Sequence, residues 1–381
     1  MKKVVDAVGK YLLESDMLLL VLCVASTVFG IVLINSATRY EETRSYVTVQ
    51  TAALILGVIL YILFSLIDLD MIADKSKILY VLSVLFISTL FVWGISGNTG
   101  NRAWLRFGRI GIQPSEIVKI PYTIVIGKMI ATARDRRTLN APLTLLKILL
   151  AFAFMFGLIV VASQDLGSAL VYLFILIAML FIGGLDFKWI LLGAAVMAGS
   201  FPVMWKYFLS EGQKARILAP YDPSVDPTGL TVMWQANQSK QAISGGGLFG
   251  QGLFNGVMTQ SGAVPRQHTD FIFSVAGEEM GFAGCLLVIL LLLLIIIRVV
   301  RVGIRSNSTL GMMVCAGFAA MLTFQTLENI GMCLGLTPVI GLTLPFFSYG
   351  GSSIVTVYAA MGIVSGIKMR PKPARFRSYG G

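Results

Sequence analysis

Charged residues are scarce in this chain: 13% of its 381 residues are Asp, Glu, Lys or Arg, whereas 56% are apolar. A soluble domain has too little interior to bury that much apolar surface. The chain has one histidine and four cysteines, and the cysteines all lie in apolar runs: Cys23, Cys285, Cys315 and Cys333. Their spacing excludes a paired zinc site and a disulfide framework. We therefore expect a membrane protein whose cysteines are core residues.

Apolar runs long enough to cross a bilayer recur along nearly the whole sequence. A transmembrane helix needs about 20 predominantly apolar residues. The runs predict ten spans, at 17–36, 48–67, 78–97, 117–131, 143–162, 168–184, 189–208, 280–297, 311–334 and 353–368, the fourth being short. The first is preceded by charge, as in a signal peptide, but no small-residue cleavage site clearly follows it, so we expect it to stay attached. The predicted fold is an all-α integral membrane protein with a single polytopic domain over 1–381.

The distribution of basic residues predicts the orientation. Ten spans put both termini on one side, and the basic residues concentrate there, among them Lys75, Lys77, Lys128, Arg134, Arg136, Arg137, Arg298, Arg301, Arg305 and Lys368. Loops rich in Lys and Arg stay in the cytoplasm. We expect a multi-pass plasma-membrane protein with cytoplasmic termini. Its net charge of +11 then reflects topology and anionic lipid, and no nucleic-acid partner is needed to explain it.

A long polar segment separates the seventh and eighth spans on the predicted exterior side. Residues 209–279 are rich in Gly, Gln, Ser and Asp. Loops of that length are usually functional or disordered, and disorder is disfavoured because Trp234, Phe249 and Phe271 supply apolar groups for the membrane surface. We expect a folded exterior cap or re-entrant loop between helices 7 and 8.

Within this cap, Asp270 lies two residues after His268, the only histidine, at the outer membrane boundary. A carboxylate in a partly desolvated position can act as a general base. Asp is also a favoured N-cap residue, so Asp270 could equally cap the helix that begins near Phe271. Spacing alone leaves both interpretations open.

Further polar groups cluster on the same side. Glu116 and Lys119 are three residues apart on a helix with Pro114 in its first turn, which predicts an ion pair that is either functional or a brace. Asp165 closes a short loop, where a turn or cap role is the simpler interpretation. Gln325, Glu328 and Asn329 lie toward the outer end of the ninth span, and helix packing explains Gln325 and Asn329 as well as function does. The segment 344–353 predicts either a helix cap or a wall of a polar site.

Taken together, these motifs resemble the SEDS family of peptidoglycan glycosyltransferases (RodA, FtsW and SpoVE) over nearly the whole chain. The matching segments, in family order, are Arg102-Ala103-Trp104, Gln113-Pro114-Ser115-Glu116 with Lys119, Asp165-Leu166-Gly167, Asp222-Pro223, Asp226-Pro227-Thr228-Gly229, Gln238-Ser239, His268-Thr269-Asp270-Phe271-Ile272-Phe273, Glu278-Glu279, Asn329-Ile330-Gly331-Met332, Leu344-Pro345-Phe346 and Ser348-Tyr349-Gly350-Gly351-Ser352-Ser353. His-Thr-Asp makes the chain most like the RodA branch. Arg266 and the order of Ser244 to Gly247 depart from the family pattern and put only local loop contacts in doubt.

The resemblance implies polymerisation of lipid II into glycan strands at the exterior face, during cell-wall elongation and shape maintenance. Asp270 matches the catalytic base. The residues that would bind substrate or pyrophosphate or support the site are Arg102, Trp104, Glu116, Lys119, Asp165, Arg216, Gln238, Ser239, Arg266, His268, Thr269, Ser348, Tyr349 and Ser352. Mg²⁺ or Mn²⁺, with Asp270 as a ligand, or the arginines could neutralise the pyrophosphate. The resemblance also implies a class B penicillin-binding protein as the transpeptidase partner.

Two other functional classes fit a ten-span bundle. A flippase for lipid-linked sugars would also suit an intramembrane ion pair, but a transporter should expose polar residues toward both sides, whereas here they concentrate on one. A non-catalytic scaffold would leave His268 and Asp270 without a role.

Overall fold

The computed structural model describes residues 9–41, 45–95, 101–108, 110–207 and 209–370. Ten long helices run through these ranges: α1 Met17–Ala37, α2 Ser45–Leu66, α3 Ser76–Trp93, α4 Lys119–Asp135, α5 Pro142–Ser163, α6 Leu166–Gly183, α7 Phe187–Tyr207, α8 Ile272–Arg305, α9 Thr309–Cys333 and α10 Gly351–Met369. The predicted all-α membrane architecture is confirmed. Both chain ends, 1–8 and 371–381, and the predicted end of the third span at 97 lie outside the described residues.

Nine of the ten long helices in the described ranges are long and apolar enough to cross a membrane. The other is α4, which corresponds to the predicted short fourth span and has 17 residues. It follows a one-turn helix, Pro114–Ile117. The described residues also contain two short antiparallel strands, β1 Leu105–Phe107 and β2 Ile110–Ile112, between α3 and α4.

The eighth long helix begins at Ile272, earlier than its apolar run predicts, because Glu278 and Glu279 interrupt the hydropathy pattern yet belong to the helix. Residues 272–279 are all buried, including Glu278 and Glu279. The helix is interrupted at Gly281, where φ is 67° and ψ is −161°. A Cβ at this glycine would lie 2.4 Å from the backbone nitrogen of Gly250. The glycine therefore allows both the left-handed turn and the close approach of the cap.

The core of the bundle lies around α9 and α10. In their most apolar windows, 72% of the α9 residues and 78% of the α10 residues are buried, whereas none are in α7. Close packing is possible because small residues face neighbouring backbones: a Cβ at Gly362 would meet the carbonyl oxygen of Tyr61 at 2.5 Å. The helix α7 thus stands at the periphery and presents its side chains outward.

Side-chain contacts define one end of the bundle. Asp16, before α1, contacts Arg298 near the end of α8. Thr309 at the start of α9 donates to Asp135 at the end of α4. At the same end, the loop before α7 contacts the loop before α5, because the backbone N–H of Asp186 donates to the side chain of Asn140. The cap and the turns that precede α6, α8 and α10 lie at the other end.

Candidate active site

The Asp270 carboxylate lies in a buried position directly before α8. The residue is 8% exposed, and its Oδ2 is 3.5 Å from the Arg266 guanidinium. The N-cap of α8 is Phe271, and no side chain caps this helix. The interpretation of Asp270 as a helix cap is therefore wrong, because the chain enters the helix one residue later and the carboxylate points elsewhere.

The backbone around Asp270 is held by the loop that precedes α10. The Ser348 hydroxyl donates to the carbonyl of Thr269 at 2.6 Å and accepts from the amide of Leu344 at 2.8 Å. The amide of Tyr349 donates to the carbonyl of His268 at 2.8 Å. Segment 344–349 therefore forms a wall against the Asp270 turn. No side chain caps α10, so the cap interpretation of this segment is wrong.

The His268 ring packs against two tyrosines that also contact each other. Its centroid lies 4.6 Å from the Tyr46 ring and 5.8 Å from the Tyr349 ring. Burial lowers the pKa of His268 below its ordinary value, and Arg266 lowers it further, while Glu41 opposes both. Its buried Nδ1 has no hydrogen-bond partner among the described residues. The ring is thus held by tilted and edge-on aromatic contacts, and its lowered pKa favours the neutral form.

The predicted ion pair is present where the one-turn helix Pro114–Ile117 meets the start of α4. Lys119 Nζ lies 2.5 Å from Glu116 Oε1, and both side chains are buried. A buried pair of this kind is costly to break, because each partner leaves the other charge without compensation.

Asp165 forms a small polar network near this pair. Its carboxylate caps α6 by accepting from the Ser168 amide at 3.0 Å and hydroxyl at 2.7 Å, so the predicted cap role is confirmed. The same carboxylate accepts from Gln113 Nε2 at 3.3 Å. The Ser352 hydroxyl donates to the carbonyl of Gly111 at 3.0 Å. These contacts join the starts of α6 and α10 to the loop before α4.

Burial dominates the electrostatics of both aspartates. It raises the pKa of Asp270, Arg266 opposes that shift, and the charge of Asp165 raises it further. Burial also raises the pKa of Asp165, against its bonds to Ser168, and Glu116 adds to the rise while Lys119 lowers it. The two carboxylates and the ion pair therefore lie within electrostatic range of one another. A base with a raised pKa accepts protons more readily near neutral pH.

A short cap helix, Trp234–Gly246, packs against α8 and α9 beside this site. The buried Ser239 hydroxyl donates to the carbonyl of Cys333 at 2.8 Å, and the Cys333 thiol lies 3.8 Å from the carbonyl of Asp270. Gln238, next along the chain, is half-buried. Ser239 therefore attaches the cap to the end of α9 that carries the Asp270 turn.

Three predicted residues take no part in these contacts. Arg102 and Arg216 are exposed, and neither forms a hydrogen bond or an ion pair in the described part of the chain. Trp104 packs its ring near Gly111, where an added Cβ would lie 3.2 Å away. Of the three arginines expected at the pyrophosphate, only Arg266 lies beside the carboxylate.

A divalent cation fits this site only in part. In the ranges that the structure describes, no three His, Cys, Asp or Glu side chains converge as a metal site. Asp270 would supply a single carboxylate oxygen, and Arg266 already faces it. Mg²⁺ is commonly held by one or two carboxylates together with substrate phosphates and water. Binding of such an ion would therefore require the phosphates of the substrate, whose negative charge the ion would neutralise.

Sequence patterns gave little sign of three further groups at the site. Asn329, explained by helix packing as well as by function, donates to the carbonyl of Asp270 at 2.8 Å. Glu328 is 6% exposed, and both its carboxylate oxygens lack a partner within the described ranges. Tyr46, at the start of α2, supplies the ring beside His268. The polar run on an apolar helix was the signal for Asn329 and Glu328, and Tyr46 had none.

Comparison with known proteins identifies the family. The family model of the FtsW, RodA and SpoVE proteins, described as cell cycle protein, matches residues 16–372. Peptidoglycan glycosyltransferase MrdB of Escherichia coli strain K12 is 32% identical over 294 residues, 77% of this chain and 78% of MrdB. The probable peptidoglycan glycosyltransferase FtsW of Bacillus subtilis strain 168 is 31% identical over 364 residues, 90% of this chain and 87% of FtsW.

Solved structures show the same likeness. Rod shape determining protein RodA of Thermus thermophilus superposes with a TM-score of 0.69 at 27% identity, covering 94% of this chain and 98% of RodA. A chain from a structure on the coordination of polymerization and crosslinking by a peptidoglycan synthase complex gives a TM-score of 0.76 at 30% identity. The match covers 93% of this chain and 97% of that chain. The chain described here belongs to the FtsW/RodA/SpoVE family.

Proposed function

We propose that this protein is a peptidoglycan glycosyltransferase that polymerises lipid II, with Asp270 as its catalytic base. Membership of the FtsW/RodA/SpoVE family and the names of its relatives support the enzyme class. The observation that carries the assignment of the base is the Asp270 carboxylate, buried, not engaged as a helix cap, and beside a cation. A carboxylate that serves only the fold would be expected to use its oxygens in structural hydrogen bonds.

The proposed reaction joins two lipid-linked disaccharides with inversion. Asp270 takes the proton from the 4-hydroxyl of an N-acetylglucosamine, and that oxygen attacks the anomeric carbon of a muramyl sugar. The bond from this carbon to the pyrophosphate oxygen breaks, and undecaprenyl pyrophosphate leaves with the electron pair. Burial raises the pKa of Asp270, which strengthens the base. The leaving group needs positive charge rather than a second acid.

Arg266 is suited to stabilise the departing pyrophosphate, because it is the cation nearest to Asp270 and remains 38% exposed at its side chain. Arginine binds phosphate oxygens with two parallel N–H groups. Part of its guanidinium can therefore face the substrate while the rest approaches the carboxylate. A divalent cation bridged to the phosphates would serve the same purpose.

We place the reaction at the exterior face of the bacterial plasma membrane, with both termini in the cytoplasm. The support is the concentration of basic residues at the end of the bundle opposite Asp270. The apolar outer surface of the helices would accommodate the polyprenyl tail. The partners in this proposal are lipid II, the nascent glycan strand and a class B penicillin-binding protein, in keeping with the synthase complex to which one structural neighbour belongs.

The test compares polymerisation with transport in one preparation. The purified protein, alone and with its penicillin-binding partner, is given fluorescent lipid II in proteoliposomes. We expect glycan strands resolved as a ladder on gels, with product requiring no other enzyme. Movement of labelled lipid II across the bilayer without any polymer would instead support a flippase, and neither activity would support a scaffold.

A further inference from the structure

A cavity with a basic rim lies at the end of the bundle opposite Asp270, between the last turns of α8 and α10. It encloses about 220 Å³, well above the roughly 30 Å³ that one water occupies in the liquid. Four cationic side chains line it: Arg298, Arg301, Arg305 and Lys368. Ser306 adds a hydroxyl. Four like charges around one cavity repel one another unless an anion is shared among them.

In the described part of the chain, Asp16 is the one carboxylate that forms ion pairs with these cations. Asp16 is fully buried behind the cavity, 2.8 Å from Arg298 Nε and 3.8 Å from Lys368 Nζ. Arg301 and Arg305 are exposed and have no ion pair within the described residues. Asp16 therefore pairs with two of the four cations, and the other two, the outer arginines Arg301 and Arg305, carry the unpaired positive charge among the described residues.

The surroundings of these arginines are those of a membrane boundary. They follow one another by four residues at the end of a transmembrane helix, so they share one helical face. Beside them in sequence, Val300 and Ile304 are exposed, by 40% and 75%, as expected of side chains that contact acyl chains. A group bound here would have a polar head in the cavity and apolar neighbours next to it.

We propose that this cavity binds the phosphate headgroup of an anionic phospholipid such as phosphatidylglycerol. Guanidinium groups match the geometry of phosphate oxygens, and basic pockets between transmembrane helices on the cytoplasmic side are suited to acidic lipid heads. The bound lipid would supply the negative charge that Asp16 does not, and it would join the ends of α8 and α10. The site is separate from the one that carries Asp270.

The test uses the two outer arginines. Arg298 is unsuitable because its loss would strand the buried Asp16. The Arg301→Gln/Arg305→Gln double variant removes only exposed cations. Its matched control is Arg136→Gln/Arg137→Gln, which removes two exposed arginines from the loop between α4 and α5, at the same end of the bundle. Native mass spectrometry of the full chain in detergent counts bound phosphatidylglycerol, with phosphatidylcholine and inorganic phosphate as separate probes.

We expect one tightly held phosphatidylglycerol on the wild type and on the control variant, and none of phosphatidylcholine. The Arg301/Arg305 variant should bind phosphatidylglycerol on the order of 30-fold more weakly, because each of the two lost arginines contributes about a factor of five to the affinity for an anionic lipid. Equal binding by both double variants would overturn the proposal. Binding of inorganic phosphate without phosphatidylglycerol would also overturn it, in favour of a soluble anion.

Discussion

Asn329 holds Asp270 by its backbone carbonyl, while the Asp270 carboxylate faces Arg266. The side-chain amide of Asn329 donates to the backbone carbonyl of Asp270 at 2.8 Å and to that of Leu342 at 2.7 Å. One buried side chain thus joins α9, the turn before α8 and the loop before α10. Because the carbonyl takes the structural role, the Asp270 side chain can change its protonation without loss of this contact.

The buried pair of Glu116 and Lys119 should behave as a unit. We expect Glu116→Lys or Lys119→Glu alone to lose about 3–5 kcal/mol of folding free energy, because each puts two like charges in a buried site. The double swap restores opposite charges and should recover part of the loss. Thermal unfolding in detergent measures all three. A double swap no better than either single variant would refute the pairing.

Arg266 should control the acid limb of the pH profile. Its positive charge lowers the pKa of Asp270 against the effect of burial, so Arg266→Gln should raise that pKa. A base must be deprotonated to act, and polymerisation by the variant should therefore decline at higher pH than in the wild type as pH falls. The measurement is kcat/KM against pH.

Arg216→Gln is the matched control for this experiment, because Arg216 is an exposed cap arginine with no ion pair to Asp270 in the described structure. The Arg216→Gln variant should show the same dependence of kcat/KM on pH as the wild type. An Arg266→Gln profile that coincides with the wild type would show that the guanidinium does not act on the base.

Gly246 should tolerate no side chain. A Cβ there would lie 1.9 Å from the carbonyl oxygen of Gly277, in the buried first part of α8. We expect Gly246→Ala to lower stability by about 1–3 kcal/mol through overpacking and to reduce activity by displacing the Asp270 turn. The control is Gly193→Ala in α7, where nothing lies within 4 Å. Equal melting temperatures for the two variants would contradict the packing of the cap.

The orientation can be tested by cysteine labelling from outside intact cells. The four native cysteines are free and buried, so single cysteines added at exposed or partly exposed sites report on their own. We expect labelling at Gln164, beside Asp165, at Ser224 in the cap and at Tyr349 in the 348–353 segment, and protection at Arg136. The reverse pattern would invert the proposed topology.

Hydropathy was sufficient to predict the helices, because the bilayer demands apolar runs of a defined length. It failed at the start of α8, where the helix continues through Glu278 and Glu279. Those buried carboxylates have partners elsewhere in the chain: Glu278 accepts from Thr259 at 2.6 Å and Glu279 from Ser36 at 2.6 Å. Composition along one segment contains no information about such partners.

Only short-range contacts around the candidate site were predictable from the sequence. The spacing of Glu116 and Lys119 was enough to predict their pair, because neighbours on a helix meet at i, i+3. The contact of Asn329 with Asp270 spans 59 residues, and that of Gln113 with Asp165 spans 52. Partners that distant are set by helix packing, so the interpretation of Asp270 as a cap could be rejected only with the fold.

The most direct test of the central claim is the rate of lipid II polymerisation by Asp270→Asn. Asn keeps the backbone carbonyl that Asn329 binds and nearly the same volume, so the variant should fold, insert and bind its partner. The exposed Asp222→Asn in the cap is the matched control. We predict a loss of about 10² to 10⁴ or more for Asp270→Asn, because an amide cannot accept the hydroxyl proton, and none for the control. Polymerisation by Asp270→Asn at close to the wild-type rate would contradict the role of Asp270 as the base.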